Sequence, residues 1–587
     1  MKRKIFAFMT VAVALQVSAS AQNLDPTVHV NRAYEGRLME VHKPSLEMAV
    51  PDTLTRFDLD FDYSVFDSPY KGSYEFKPYV LDMQPSSGAE KPARLWLKAG
   101  AGYPLHPLFN LVWSPFIRDR FKMNVYADHR SYIGEYWHFS PDAAEGGVID
   151  GWSVASGDKK FHPGYDALTK AGVDGRYDWL KGGLGFDVAY YGLAMEDAFT
   201  DSRAYNALDV KVDVASKPDT SSVFSYDVAA SYRFAEDKLK HISQGESYLS
   251  EHVFDVNAVL GSRISDAHSV RFDVGLQMAA YSQVLDEVLG ELSFVPHYQY
   301  DKGRWSADLG VRVAKVLRSM QEDGMSHVRD QIVYPDVTVG FAVIPEAMRT
   351  YLKVGGGNRL NTYSSLVGRN HHVTPAFGRG FWPLMDCTVE RVSASLGLEG
   401  RISSGFTYDL RGGYVNYAGA LLDFVRESNV PGQTGTSFLP GYGYAAYQKA
   451  YAALDWLLQT EPVRFEGSVA YNHSWGLDQS VGGGLFLPAT LTGDLAVRYD
   501  WKDRVFAGVD CLFSTGRKGT VVALPGGGPY EARIRGYADV GIEGMYVINH
   551  MFSLWVRVGN VLNMTVQHNP LFAERGVNFT AGLTFSL

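Results

Sequence analysis

Two cysteines in 587 residues are too few for a disulfide framework. Long hydrophobic runs are missing too. After residue 17 no apolar stretch approaches the roughly 20 residues a membrane-spanning helix needs. A helical membrane protein is thereby excluded. Crossing by strands is not, because barrel strands are apolar only at every second residue. There is no basic tract, and 55 Lys and Arg face 65 Asp and Glu for a net charge of −10. No nucleic-acid partner is expected from such a balance. The nucleophile elbow G-x-S-x-G, the zinc motif H-E-x-x-H and the redox motif C-x-x-C are all absent. The sequence therefore predicts no enzyme, no catalytic residue, no cofactor and no metal site.

Some local patterns invite chemistry and are better read as structure. Gly355-Gly356-Gly357 and Gly526-Gly527-Gly528 read as tight turning at strand ends or in loops. His371-His372 reads as a solvated pair in an outer loop, since a metal site would need further ligands. Asp58, Asp60 and Asp62 suggest a calcium loop, but its glycine and glutamate positions hold Tyr63 and Pro69.

What the chain does have is alternation. Val577, Phe579, Ala581, Leu583, Phe585 and Leu587 alternate with Asn578, Thr580, Gly582, Thr584 and Ser586. This is the period of a strand with one apolar face. The pattern recurs in Phe552-Leu554-Val556-Val558 against Ser553-Trp555-Arg557-Gly559, in Leu491 to Asp500, in Trp305 to Val313 and in Leu208 to Val214. Cys511 falls on the apolar face of its strand and Cys387 on the polar face of its own, so no disulfide between them is expected.

Alternation alone would also suit a soluble sandwich. Connection lengths discriminate. Short turns are predicted at Arg118-Asp119-Arg120, Leu180-Lys181, Ser265-Asp266, Asp301-Lys302-Gly303, Ser403-Ser404, Lys502-Asp503 and Asn549-His550. Longer connections at 133–168, 235–249, 314–330, 356–384, 416–446 and 516–532 come between them. Short turns at one end and long loops at the other mark a transmembrane barrel. The fold expected is all-β: a transmembrane antiparallel β-barrel of about 22 strands, each near ~9–11 residues, with short periplasmic turns and long extracellular loops. Lys449 to Gln459 is the least clear strand, since its Ala and Leu content also suits a helix.

Three regions follow. Residues 1–21 read as a signal peptide: Lys2, Arg3 and Lys4, the apolar run Ile5 to Val17, then Ala19-Ser20-Ala21. Removing it takes away three positive charges and shifts the net charge from −10 to −13. Residues 22–90 form a proline- and aromatic-rich periplasmic arm with one amphipathic strand over Phe57 to Val65. Residues 91–587 form the barrel. Aromatics fall in the expected outer loops, namely Trp137, Phe139, Trp152, Phe161, Phe381, Trp382 and Trp475. Of these, Trp137, Trp152, Phe381, Trp382 and Trp475 are the candidate binding residues. The competing readings are loop packing and a membrane-interface belt.

The closing strands carry a resemblance. Tyr537-Ala538-Asp539-Val540, Ser553 to Val558, Gly559-Asn560-Val561-Leu562-Asn563 and the terminal Val577 to Phe585 resemble the end of a TonB-dependent receptor barrel. Tyr74 to Tyr79, Leu95 to Tyr103 and Gly357 to Tyr363 resemble a Bacteroidota group of such receptors. The resemblance implies transport or receptor work at the outer membrane. It also implies a plug domain, which residues 22–90 are too short to supply in full, and a TonB-box-like element at Thr27, Val28 and Val30. The leading expectation is an outer-membrane receptor or transporter whose lumen is closed by loops or by a partner. One alternative is a non-transporting scaffold holding a surface lipoprotein or a periplasmic protein. Another is an open diffusion pore. Outer-membrane lipid is a partner in every case.

Overall fold

The computed structural model describes residues 94–143, 149–154, 161–198, 200–217, 223–241, 245–318, 332–375, 385–402, 405–429, 436–478, 484–522 and 530–587. Among these residues, 22 antiparallel strands close into one barrel. The ring runs from Leu95–Tyr103 in neighbour-to-neighbour order to Asn578–Ser586, which pairs back onto the first strand from Trp96↔Ser586 to Tyr103↔Phe579. No strand edge is left in the barrel wall, which is what lets a sheet stand in lipid.

The reason these segments form a membrane wall is legible in their exposure. Leu583 is 52% exposed while its neighbour Thr584 is 6% exposed. The same inversion holds along Trp305–Arg318, where Leu309, Val311 and Val313 face outward and Arg312 is buried. An apolar outer face and a polar inner face are the reverse of a soluble core and fit an outer-membrane barrel. Aromatics gather where the wall meets water. Tyr177, Phe224, Trp305, Trp501, Tyr546 and Phe552 are exposed close to the short turns. Both cysteines are free, with Cys387 buried and Cys511 half-buried on the wall.

Short turns occupy one end throughout, as between Trp179 and Gly182 or Trp501 and Val505. The chain closes its ring at this same end, where Arg94 and Leu95 donate to the Leu587 carbonyl. The opposite end departs from expectation. Residues 235–249 are not a loop: Phe224–His241 and Gly245–Ser265 stay paired up to His241↔Gly245. Likewise 416–446 belongs mostly to the 24-residue strands Phe406–Asn429 and Thr436–Gln459. The second of these contains the ambiguous segment Lys449 to Gln459, which is strand. The strands also exceed the expected length because their ladders continue beyond the apolar band. There, no lipid face imposes alternation, so the sequence reads as loop while the backbone hydrogen bonds persist. Gly355 to Gly357 lies inside the strand Met348–Leu360 at a register shift, not at a turn. Gly526 to Gly528 lies outside the described residues.

Candidate functional site

The outer end of the barrel is covered by the chain's own connections. After Met348–Leu360 the chain leaves the wall and forms the short helix Tyr363–Arg369. Thr362 caps it by accepting from the Ser365 amide. This helix reaches strands far round the ring. The Ser364 amide donates to Glu251 on Gly245–Ser265 at 3.0 Å. The Tyr363 hydroxyl donates to Asp237 on Phe224–His241. Asp237 also accepts from Arg203 of Thr200–Ser216, through Nε at 3.1 Å and Nη2 at 2.6 Å. Arg203 in turn donates to the His371 carbonyl beyond the helix. Neither Arg203 nor Asp237 has any side-chain exposure. Seven strand positions separate Thr200–Ser216 from Met348–Leu360 in the ring, so this linkage is a chord across the lumen.

The next residue, His372, places Nδ1 2.6 Å from the Asp197 carboxylate, in the connection before Thr200. Its ring stacks on Phe572 with centroids 3.5 Å apart. Phe572 belongs to the connection before the last strand. Three connections from separate parts of the rim therefore meet at one histidine. The pair His371-His372 is not a solvated loop pair, as its sequence suggested. Burial under the converging loops decides its environment, and nothing local in the sequence signals that.

The other half of the mouth is spanned by strands outside the barrel wall. The upper part of Phe406–Asn429 pairs with Leu485–Phe486, and Phe486 pairs with Gly519 of Arg517–Val521. Arg517–Val521 pairs with Tyr530–Ile534, whose Ala532 bridges Ile149 of Ile149–Val154. That strand pairs with Phe139–Ala143, which follows the barrel strand Phe121–Trp137. Beneath this lid sheet lies an apolar cluster of Val425, Phe438, Phe486, Val521, Ile534 and Leu571. Arg517 pins the lid by pairing with Asp423 and donating to the His568 carbonyl at 3.0 Å. A larger apolar cluster, including Leu168, Tyr205, Leu289, Leu366 and Tyr444, packs the helix against the wall strands.

Below these clusters the inner wall is charged, and much of that charge is paired. Arg233 pairs with Asp209, Arg349 with Glu399, Arg411 with Asp409 and Asp455, and Arg498 with Asp510 and Glu543. Each of these pairs sets an inward-facing charge against one of opposite sign. Among the described residues no group of three or more His, Cys, Asp or Glu is arranged to hold a metal ion.

The aromatic candidates scatter. Trp137 is the last residue of its barrel strand, not a loop residue. Its ring meets Phe161 edge-on at 5.6 Å and packs against the cluster under the lid. Trp475 ends the strand Val463–Trp475 and stands 6.0 Å from Tyr414, near exposed Tyr471 on the outer face of the wall. Both were read as loop because the ladders extend past the apolar band. The backbone of Trp152 lies in Ile149–Val154. Phe381, Trp382, Thr27, Val28 and Val30 lie outside the described residues. Of the residues that hold the mouth, Asp197, Arg203, Asp237 and Glu251 were not singled out by sequence, and Tyr363 entered only as the end of the segment Gly357 to Tyr363. Continuing the alternation of Leu208 to Val214 upstream would have placed Arg203 inward, but not its partner.

The linkage from the helix to Arg203, Asp237 and Glu251 acts as a latch, and it is expected to depend on pH. Burial pushes the His371 imidazole well below its usual value, and Arg130, His372 and Arg203 add repulsion. Its Nε2 is buried with no hydrogen-bond partner among the described residues. A released loop would let His371 take up a proton near its ordinary pKa of about 6.5. The closed form resists that proton, so its stability is full above that pH and declines as pH falls below it. Hydrogen exchange over 361–375, taken relative to the intrinsic amide rate at each pH, should therefore quicken between pH 7.5 and 5. In His371→Gln that acceleration should be largely lost; an unchanged pH response in the variant would exclude His371 as its source.

No protein-family model matches this sequence, and no curated protein matches it. Solved structures do resemble it in fold. The siderophore receptor PirA from Acinetobacter baumannii is similar with a TM-score of 0.59 at 10% identity, over 86% of this chain and 82% of that one. The FrpB iron transporter from Neisseria meningitidis gives 0.58 at 10% identity, over 85% and 82%. The ferric enterobactin receptor PfeA from Pseudomonas aeruginosa, in complex with enterobactin, gives 0.58 at 10% identity, over 86% and 82%. At such identity the likeness is one of architecture.

Proposed function

We propose that this chain is an outer-membrane receptor or transporter whose lumen is gated from the outside by its own loops. The observation that carries this reading is the chord across the lumen, from the helix Tyr363–Arg369 to Arg203, Asp237 and Glu251. A diffusion pore has no use for a mouth covered by a buried ion pair, a lid sheet and two apolar clusters. A receptor does, because it must exclude small solutes while admitting one cargo. The architecture is that of the receptors and transporters above, and the closing strands resemble TonB-dependent receptors. Iron chelates, the cargo class named for those proteins, are the first solutes to try.

Two measurements test the proposal together. The purified protein in planar bilayers should show no large steady conductance. Deleting its gene should abolish uptake of one solute and leave general permeability intact. Large steady conductance from the intact protein would instead indicate an open pore. Unchanged uptake of every solute tried, beside a closed lumen, would favour a scaffold.

A further inference from the structure

We propose that the inner wall holds a binding site for one hard divalent cation, built from Asp255, Gln277 and Glu291 with Asn257 and Ser293. This goes beyond the transport reading and does not depend on it. Asp255 pairs in register with Gln277, and Gln277 with Glu291. The three side chains thus form one row across Gly245–Ser265, His268–Gln283 and Glu287–Lys302. Both carboxylates are buried, Glu291 to 3% exposure, and neither Glu291 oxygen has a hydrogen-bond partner among the described residues. Arg312 is the cation acting most directly on Glu291, and its Nη2 is already committed to Asp336 at 2.9 Å. Lys211 is the cation acting on Asp255. With Arg312 shared in this way, the Glu291 carboxylate is compensated only in part and has no hydrogen bond of its own, which is unfavourable for a buried charge.

The rows above and below define the site. Towards the outside lie Val253, Ala279 and Leu289, paired in the same register and all buried. They set an apolar row between the carboxylates and the mouth. On the other side lie Asn257, Gly275 and Ser293. A β-carbon on Gly275 would stand 2.7 Å from the Ser293 hydroxyl and 3.2 Å from the Asn257 amide oxygen. Those two oxygens therefore close over the glycine, next to the carboxylates. The Asn257 amide nitrogen donates to Asp255, which turns its oxygen towards Ser293. Every available donor is an oxygen and two are carboxylates, the ligand set of calcium-like ions. No thiol or imidazole in these rows would favour a softer metal.

The test uses the intact, detergent-purified barrel stripped with EDTA. Calcium titrated calorimetrically should bind saturably at one ion per chain and raise the melting temperature. Glu291→Gln should weaken binding at least about ten-fold while melting no lower than the wild type in EDTA, since an amide carries no charge to bury. Asp255→Asn supplies a second variant, expected to weaken binding in the same sense, should the first fail to fold. Absence of saturable calcium binding would overturn the proposal. Equal affinity in the wild type and both variants would do so as well. A calcium-indifferent wild type that grows more stable as pH falls would show that Glu291 is held as a neutral acid instead.

Discussion

Asp237→Ala is expected to open the lumen without unfolding the barrel. The substitution strips Arg203 of both its carboxylate contacts while leaving the guanidinium in a site with no exposure. Removing one partner of such a pair costs about 3–5 kcal/mol, because a buried charge is left without compensation. The strands bearing Arg203 and Asp237 are fixed by continuous ladders on both sides. The loop carrying Tyr363 and His371 is held there chiefly by side-chain contacts, so it is the element that yields. Planar bilayers should then record a large conductance where the wild type shows none. Hydrogen exchange should rise over 361–375 and stay unchanged in the wall strands. The paired substitution Arg203→Leu with Asp237→Leu leaves no buried charge uncompensated and should conduct less than Asp237→Ala, although Tyr363 and His371 lose their partners there. If Asp237→Ala conducts no more than the wild type, the latch is held elsewhere, and the lid sheet pinned by Arg517 becomes the next place to cut.

Gly582→Val is expected to prevent closure of the barrel. Gly582 lies on the inner face of the last strand, opposite Gly100 of the first. A β-carbon there would stand 2.0 Å from the Ala99 carbonyl oxygen, 2.7 Å from the Gly100 α-carbon and 2.7 Å from the Trp555 ring. Backbone atoms of a paired strand cannot step aside as a flexible side chain could. Trp555 is itself confined, buried in the lumen with the Lys98 ammonium 4.4 Å from its ring. Overpacking a tight site typically costs about 1–3 kcal/mol, and here the strain falls on the seam that joins the chain's two ends. The folded, heat-modifiable form on gel electrophoresis should be lost. Thr584→Val, two residues along on the same face, should keep that form and shift urea unfolding only slightly. A Gly582→Val protein that folds with the wild-type urea midpoint would mean that the seam is looser than the structure has it.

The fate of this one tryptophan shows how far the sequence reaches. Its alternation with Leu554 and Val556 places Trp555 on the inner face, and that is where it stands. What lies against it depends on Gly100, more than 450 residues earlier, so no local pattern could reveal it. Histidine 372 makes the same point at the mouth. A polar pair in a long connection reads as solvated, yet Asp197 and Phe572 enclose it from opposite parts of the chain. The extended hairpins fail for another reason. Residues such as Glu236, Asp237 and Lys238 show no alternation because no lipid face selects it, although their backbone remains paired.

The wall of this protein is thus set by the sequence alone. Each strand must turn an apolar face to lipid and a polar face inward, and that demand is written at every second residue. Strand number, orientation of the turns and the membrane it enters follow from it. The mouth was decided only by tertiary structure. Its latch, its lid sheet and its apolar clusters are contacts between connections distant in the chain, and those contacts exist only once the closed ring has brought the connections together.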